Sequence, residues 1–134
     1  MADQLVVTES LNQQMIDAGA KLIRTLDSSG IDVLAAFWFY LEPSDTWQFV
    51  IATPEVQSQG PKRIYERLQT ILGQSKDGGQ IALRDISVVS PTDSLITVLR
   101  LGIRTGAKDV SGIRFSRNTI NGQFIRDAYI YRLT

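Results

Sequence analysis

The residues of this chain best suited to chemistry are arginines near its C-terminal end. The last 35 residues contain seven basic side chains against two acidic ones, and six of the seven are arginine. The planar guanidinium group binds carboxylate and phosphate through paired hydrogen bonds, which a lysine ammonium group cannot form. The sequence therefore predicts a site for an anion, a phosphate-bearing ligand or an acidic partner. Its candidate residues are Arg117, Arg126, Arg114, Arg104 and Arg100.

Two of these arginines are predicted to face each other across a hairpin. Two β-rich runs flank Asn121-Gly122, which is the strongest short-range signal for a hairpin turn. A two-residue turn pairs Arg117 with Arg126, and like charges directly opposite destabilise a sheet unless something neutralises them. An anion, an acidic partner or an acid of the N-terminal half could do so. A three-residue loop would place Arg117 opposite Ile125 instead, and two solvated arginines at an exposed edge would then remain.

The charge of the chain is polarised along its length although the total is zero. Residues 1–60 carry eight acids and two bases, whereas residues 61–134 carry twelve bases and six acids. Such halves can neutralise each other within one chain or between two copies, and the second arrangement favours a homodimer. A sequence pI near 6.2 and the absence of an RNP-like motif argue against nucleic acid as the partner.

The chain contains no cysteine and no histidine, which narrows the chemistry it can perform. Disulfides, thiolate nucleophiles, Cys or His zinc sites and Ser-His-Asp triads are all excluded. Carboxylates remain as acid–base groups, but Asp85, Asp93 and Asp127 form no pair at a diagnostic spacing. A magnesium site built from such acids has no support in the sequence, so we expect no metal and no cofactor.

The length and the N-terminus indicate one cytoplasmic domain. The 134 residues fit a single domain with one core, and no stretch of about 18 apolar residues occurs. The first ten residues lack the basic and apolar regions of a signal peptide. We therefore expect a soluble cytoplasmic domain spanning 1–134, without a membrane segment.

The first elements are predicted to be a helix and an aromatic hairpin. Ser10 and Gln13 have the spacing of a capping box, and apolar residues then recur at helical spacing up to Ser28-Ser29-Gly30. Gly19 inside this helix indicates a close approach to another element. Two strands follow, from Asp32 to Leu41 and from Trp47 to Thr53, and both faces of the first are apolar.

An apolar strand of this kind needs cover on both sides. Helices of the same chain can supply it, and so can a second copy, because large exposed apolar patches are rare on monomers. Trp38 and Tyr40 are accordingly the candidate residues of a subunit interface.

The remaining elements complete the predicted fold. Gly60-Pro61 begins a second helix that ends near Gly73, residues 74–80 form a loop, and residues 86–89 form a short strand. A third helix is predicted to begin after Ser90 as the N-cap, with a proline at its first position and Asp93 at its third. Gly106 is the glycine expected just after its C-terminal end. With the last hairpin, the sequence predicts an α+β fold with a mostly antiparallel five-stranded sheet and three helices, in the order α-β-β-α-β-α-β-β.

Three functions are compatible with this chain. The first is a non-enzymatic protein that acts through protein–protein contact, as a homodimer. The alternative is a module that binds an anion, a phosphate-bearing ligand or nucleic acid through its arginine-rich C-terminal hairpin. A carboxylate- or metal-dependent enzyme is the third and has the least support.

Overall fold

Two hairpins lie side by side in one five-stranded sheet with the strand order β3-β2-β1-β5-β4. The computed structural model describes residues 5–74 and 80–134. Its elements are α1 (Gln13–Ser28), β1 (Ala35–Leu41), β2 (Thr46–Ala52), α2 (Glu55–Gln59), α3 (Pro61–Gln74), β3 (Ile86–Val89), α4 (Ser94–Arg100), β4 (Ile113–Ile120) and β5 (Gln123–Leu133). Neighbouring strands are antiparallel except β2 and β3, which are parallel. The α+β class and the order of elements are confirmed, and the short α2 is an addition.

Both faces of the sheet are covered by helices of the same chain. On one face Trp38 and Tyr40 pack in a cluster with residues of α1 and α3. On the other face Phe37 packs in a second cluster with Ile96 and Leu99 of α4. Strand β1 therefore lies between two layers of helices, which explains why its residues are apolar without alternation.

The N-cap of helix α1 lies two residues after Ser10, the first residue of the predicted capping box. The backbone N–H of Met15 donates a 2.9 Å hydrogen bond to the side chain of Asn12, so Asn12 and not Ser10 is the N-cap. The close approach at Gly19 is present, because a Cβ atom there would lie 2.8 Å from Phe49 and closer still to the hydroxyl of Tyr131. The α1 helix is seated on the sheet at this glycine.

The third long helix, α4, is shorter than the sequence predicts at both ends. Its N-cap is Asp93, whose side chain accepts a hydrogen bond from the N–H of Leu95, and it ends at Arg100 instead of continuing to Gly106. The N–H of Thr105 donates to the carbonyl of Leu133 at the end of β5, 2.9 Å away. Bonding of residue 105 to the sheet edge replaces the last helical turn.

The boundaries of the second predicted helix and of the short strand agree closely with the structure, whereas β1 begins at Ala35, three residues after its predicted start at Asp32. Helix α3 begins at Pro61 and ends at Gln74, and β3 spans Ile86–Val89. Residues 75–79 of the predicted loop lie outside the described residues. Among the helices that the structure describes, none is long and apolar enough to cross a membrane.

The last hairpin has the two-residue turn. Asn121 and Gly122 both have positive φ, at 50° and 81°, and Ile120 pairs with Gln123. Ser116 pairs with Asp127 and Asn118 pairs with Ile125, but Arg117 between them has φ of 48° and takes no part in the ladder. The register expected for a two-residue turn is therefore confirmed. The ladder is interrupted only where Arg117 and Arg126 would have paired.

This distortion changes which side of β5 its residues face. Ile125 and Ala128 are three residues apart, yet both belong to the cluster under α4. Strict alternation would place them on opposite faces. As a result, the consecutive residues Arg126 and Asp127 both line a cleft at the hairpin.

Candidate functional site

Three of the predicted arginines line one cleft of about 490 Å³. Arg114 and Arg117 come from β4 and Arg126 comes from β5. The cleft is also lined by Tyr40 and Trp47 of the first hairpin and by Glu9 from the segment that precedes α1. The β4–β5 hairpin thus places guanidinium groups beside aromatic rings and a carboxylate.

Arg114 is held by a carboxylate and an aromatic ring. Its Nε and Nη2 atoms donate to the two carboxylate oxygens of Asp127 over 2.6 and 2.5 Å, and its guanidinium lies 5.9 Å from the ring centroid of Trp47. The bond to Asp127 raises the pKa of Arg114 above its ordinary value. This arginine is charged, oriented and already paired.

Arg126 has a similar arrangement with the first hairpin. Its Nη1 atom donates to Glu42 over 2.8 Å, and its guanidinium lies 5.5 Å from the ring centroid of Tyr40. The bond to Glu42 raises the pKa of Arg126. Burial raises the pKa of Tyr40, and so does the hydrogen bond that its hydroxyl donates to Asp45. Tyr40 therefore stays protonated as part of the cleft wall.

Arg117 is the cation of this cleft for which the described part of the chain provides no partner. Its side chain is exposed, and within residues 5–74 and 80–134 it forms neither a hydrogen bond nor an ion pair. The sequence predicted that the repulsion between Arg117 and Arg126 must be neutralised. Glu42 neutralises the charge of Arg126, whereas the charge of Arg117 stays without a counter-charge among the described residues. A positive φ at a non-glycine residue costs about 1 kcal/mol or more, and such strain is commonly found at functional sites.

The other two candidate arginines lie outside the cleft. Arg100 donates from Nε to the carbonyl of Thr134 over 2.7 Å and from Nη1 to the carbonyl of Pro91 over 3.0 Å. It therefore holds the C-terminal end of the chain against α4. Arg104 is an exposed residue of the loop that follows α4.

The opposite charges of the two halves meet within one chain. Arg126 pairs with Glu42, and two further pairs, Arg67 with Glu55 and Arg132 with Asp27, also join a base of residues 61–134 to an acid of residues 1–60. The sequence predicted such neutralisation without indicating which acids would supply it.

The candidate interface residues are packed inside the same chain. Trp38 is fully buried and donates from its ring nitrogen to the carbonyl of Met15 over 2.9 Å. Tyr40 is 8% exposed and its ring contacts that of Trp47 edge-on. The sequence predicted that either helices of the same chain or a second copy would cover this strand. In the structure, helices of the same chain cover it.

The carboxylates considered for acid–base chemistry are dispersed. Asp93 caps α4, Asp127 binds Arg114, and Asp85 lies in a 3₁₀ turn before β3. Within the part of the chain that the structure describes, no group of three or more acids could hold a metal ion.

Sequence patterns did not indicate three residues that lie in or beside the cleft. Glu9 precedes the first helix, Glu42 lies at the tip of the first hairpin, and Trp47 is the second residue of β2. Each is far along the chain from the arginines, so no local pattern could associate them. The excess of acids in the N-terminal half was the available signal.

The fold and the cleft define an α+β protein with a small arginine-lined cavity at the hairpin of an edge strand. No protein-family model, curated protein or solved structure matches the chain.

Proposed function

We propose that this is a non-enzymatic binding protein whose cleft takes the phosphate or carboxylate group of a small ligand. The observation that carries the proposal is the guanidinium of Arg117, which has no carboxylate partner within the described residues, whereas the other two arginines of the cleft do. A guanidinium fork has the geometry to bind such a group with two hydrogen bonds.

The size of the cleft supports a small ligand. Pockets for small molecules usually measure about 300–1,000 Å³, and this one measures about 490 Å³. The acids in and beside the cleft, Glu9, Glu42 and Asp127, would repel the closely spaced phosphates of a nucleic acid. A compact ligand with one anionic group avoids this repulsion.

The same residues favour binding over catalysis. The chain has no histidine or cysteine, and Asp127, the carboxylate closest to the arginines in the hairpin ladder, is already occupied by Arg114. A general base needs a lone pair directed at substrate, and this one accepts from the guanidinium. We also propose that the protein is located in the cytoplasm.

The homodimer expected from the sequence stays a prediction. Two features suggested it, a strand that is apolar on both faces and the opposite charges of the two halves. Helices of the same chain cover the strand, and ion pairs within the chain join the two halves. Sedimentation equilibrium at low and high salt would test it, because a dimer held by charges weakens as salt is added.

The test of the anion site is calorimetric titration with inorganic phosphate at low ionic strength. We expect Arg117→Ala to weaken binding at least about tenfold, because the loss of even one charged hydrogen bond costs about 1.5 kcal/mol. Arg104→Ala removes another exposed arginine, which lies outside the cleft, and should leave the affinity unchanged. Equal affinity of Arg117→Ala and the parent protein would contradict the proposal.

A further inference from the structure

Glu9 contributes a second unpaired charge to the cleft. Its main-chain carbonyl accepts a 2.8 Å hydrogen bond from the ring nitrogen of Trp47, which fixes the segment at the cleft wall. Its carboxylate is exposed and, among the residues described, has neither a hydrogen bond nor an ion-pair partner. Glu9 and Tyr40 line the same cleft.

The charged side chains in the cleft fall into two groups, those with an ion-pair partner and those without one among the described residues. Arg114 and Asp127 satisfy each other, and Arg126 is satisfied by Glu42. Among the described residues that line this cleft, the cation Arg117 and the anion Glu9 then remain without an ion-pair partner.

A ligand that carries only negative charge would satisfy half of this arrangement. It would gain the guanidinium of Arg117 but would also face the carboxylate of Glu9, which lines the same cleft, and like charges repel each other in a partly enclosed site. A ligand with an additional ammonium group would place opposite charge against both residues. The two free charges thus select for a molecule that is itself dipolar.

We infer that the cleft binds a zwitterionic small molecule, with its phosphate or carboxylate on Arg117 and its ammonium group on Glu9. The inference rests on the proposed function, because it requires an anion site at Arg117. It adds the class of ligand, and it assigns to Glu9 the discrimination between zwitterions and simple anions.

The experiment compares O-phosphoethanolamine with ethyl phosphate, which has the same phosphate ester but lacks the ammonium group. Calorimetric titration at low ionic strength should give roughly two- to fivefold tighter binding of phosphoethanolamine, the gain expected from one exposed ion pair. Glu9→Gln should abolish this preference and bind ethyl phosphate at least as tightly as before. Glu66→Gln, which neutralises an exposed acid of α3 outside the cleft, should retain the preference.

The outcomes separate the inference from the function on which it rests. Equal binding of both compounds to the parent protein, lost in Arg117→Ala, overturns the zwitterion and leaves the anion site intact. Failure of both compounds to bind overturns the anion site itself. Flotation with phosphatidylethanolamine vesicles identifies the source of the zwitterion. Vesicle binding that Glu9→Gln abolishes assigns it to a lipid headgroup, and binding of the free compound alone assigns it to a soluble ligand.

Discussion

Arg132 at the end of β5 donates two 2.9 Å hydrogen bonds to the carboxylate of Asp27 in the last turn of α1. The side chain of Arg132 is 1% exposed and that of Asp27 is 25% exposed. The guanidinium also donates to the carbonyls of Asp109 and Val33, so the buried cation has several acceptors. One arginine therefore connects the first helix, the last strand and two loops.

Asp27→Asn should destabilise the protein by about 3 kcal/mol, because it leaves the buried charge of Arg132 without a counter-charge. Thermal unfolding at neutral pH measures this loss. Asp32→Asn is a suitable control, since Asp32 is exposed and its carboxylate has no ion-pair partner among the described residues. Equal unfolding temperatures for the two variants would show that the pair with Arg132 contributes nothing.

The same pair predicts a dependence of stability on pH. The hydrogen bonds from Arg132 hold the pKa of Asp27 below its ordinary value. A lowered pKa in the folded state stabilises the protein fully above the unfolded value, near 3.9, and this contribution is lost as pH falls through the folded pKa. Urea unfolding between pH 6 and pH 2 should show a shallower acid decline for Asp27→Asn than for the parent protein.

Local signals in the sequence predicted the elements well where the backbone itself has a strong preference. Pro61 fixes the start of α3, and Asn121-Gly122 fixes the turn and the register of the last hairpin. The predicted C-terminal end of α4 was wrong because a bond between Thr105 and the distant Leu133 competes with helix formation. Propensity at a helix end cannot anticipate such a tertiary bond.

The candidate site was predictable only in part for the same reason. The sequence identified the arginines, and their shared hairpin placed Arg114, Arg117 and Arg126 together. It could not select Glu42 and Asp27 from the eight acids of the N-terminal half, because those pairs depend on how the two hairpins and α1 are packed. The strained backbone at Arg117 has no sequence signal at all.

Gly19→Ala should destabilise the protein by about 1–3 kcal/mol through overpacking. The new Cβ atom would press on the hydroxyl of Tyr131, which is fixed by a 2.6 Å bond to the carbonyl of Ile16, and on the buried ring of Phe49. Gly73→Ala in α3 meets open space and should instead stabilise the helix by about 0.5 kcal/mol. Chemical denaturation of both variants checks the opposite signs, and destabilisation by Gly73→Ala alone would contradict the packing argument.

Arg117→Gly should be more stable than Arg117→Ala by about 1 kcal/mol. Both variants lack the guanidinium, but at φ of 48° alanine keeps the left-handed strain that glycine does not experience. The difference between the two variants in the free energy of unfolding therefore measures the backbone strain at position 117 and not the loss of the guanidinium. If alanine proves equal or more stable in chemical denaturation, the backbone at position 117 stores no strain.

Glu42→Gln should increase the affinity of the cleft for phosphate roughly two- to fivefold, because it releases Arg126 from its carboxylate partner beside Arg117. Arg126 and Glu42 are nearly half exposed, so the free energy of unfolding should change by no more than about 0.5 kcal/mol. Glu55→Gln provides the matched control, since it removes the same charge and releases Arg67, which lies outside the cleft. A gain in calorimetric affinity confined to Glu42→Gln assigns the effect to the arginine in the cleft, whereas equal gains in both variants would reduce it to net charge.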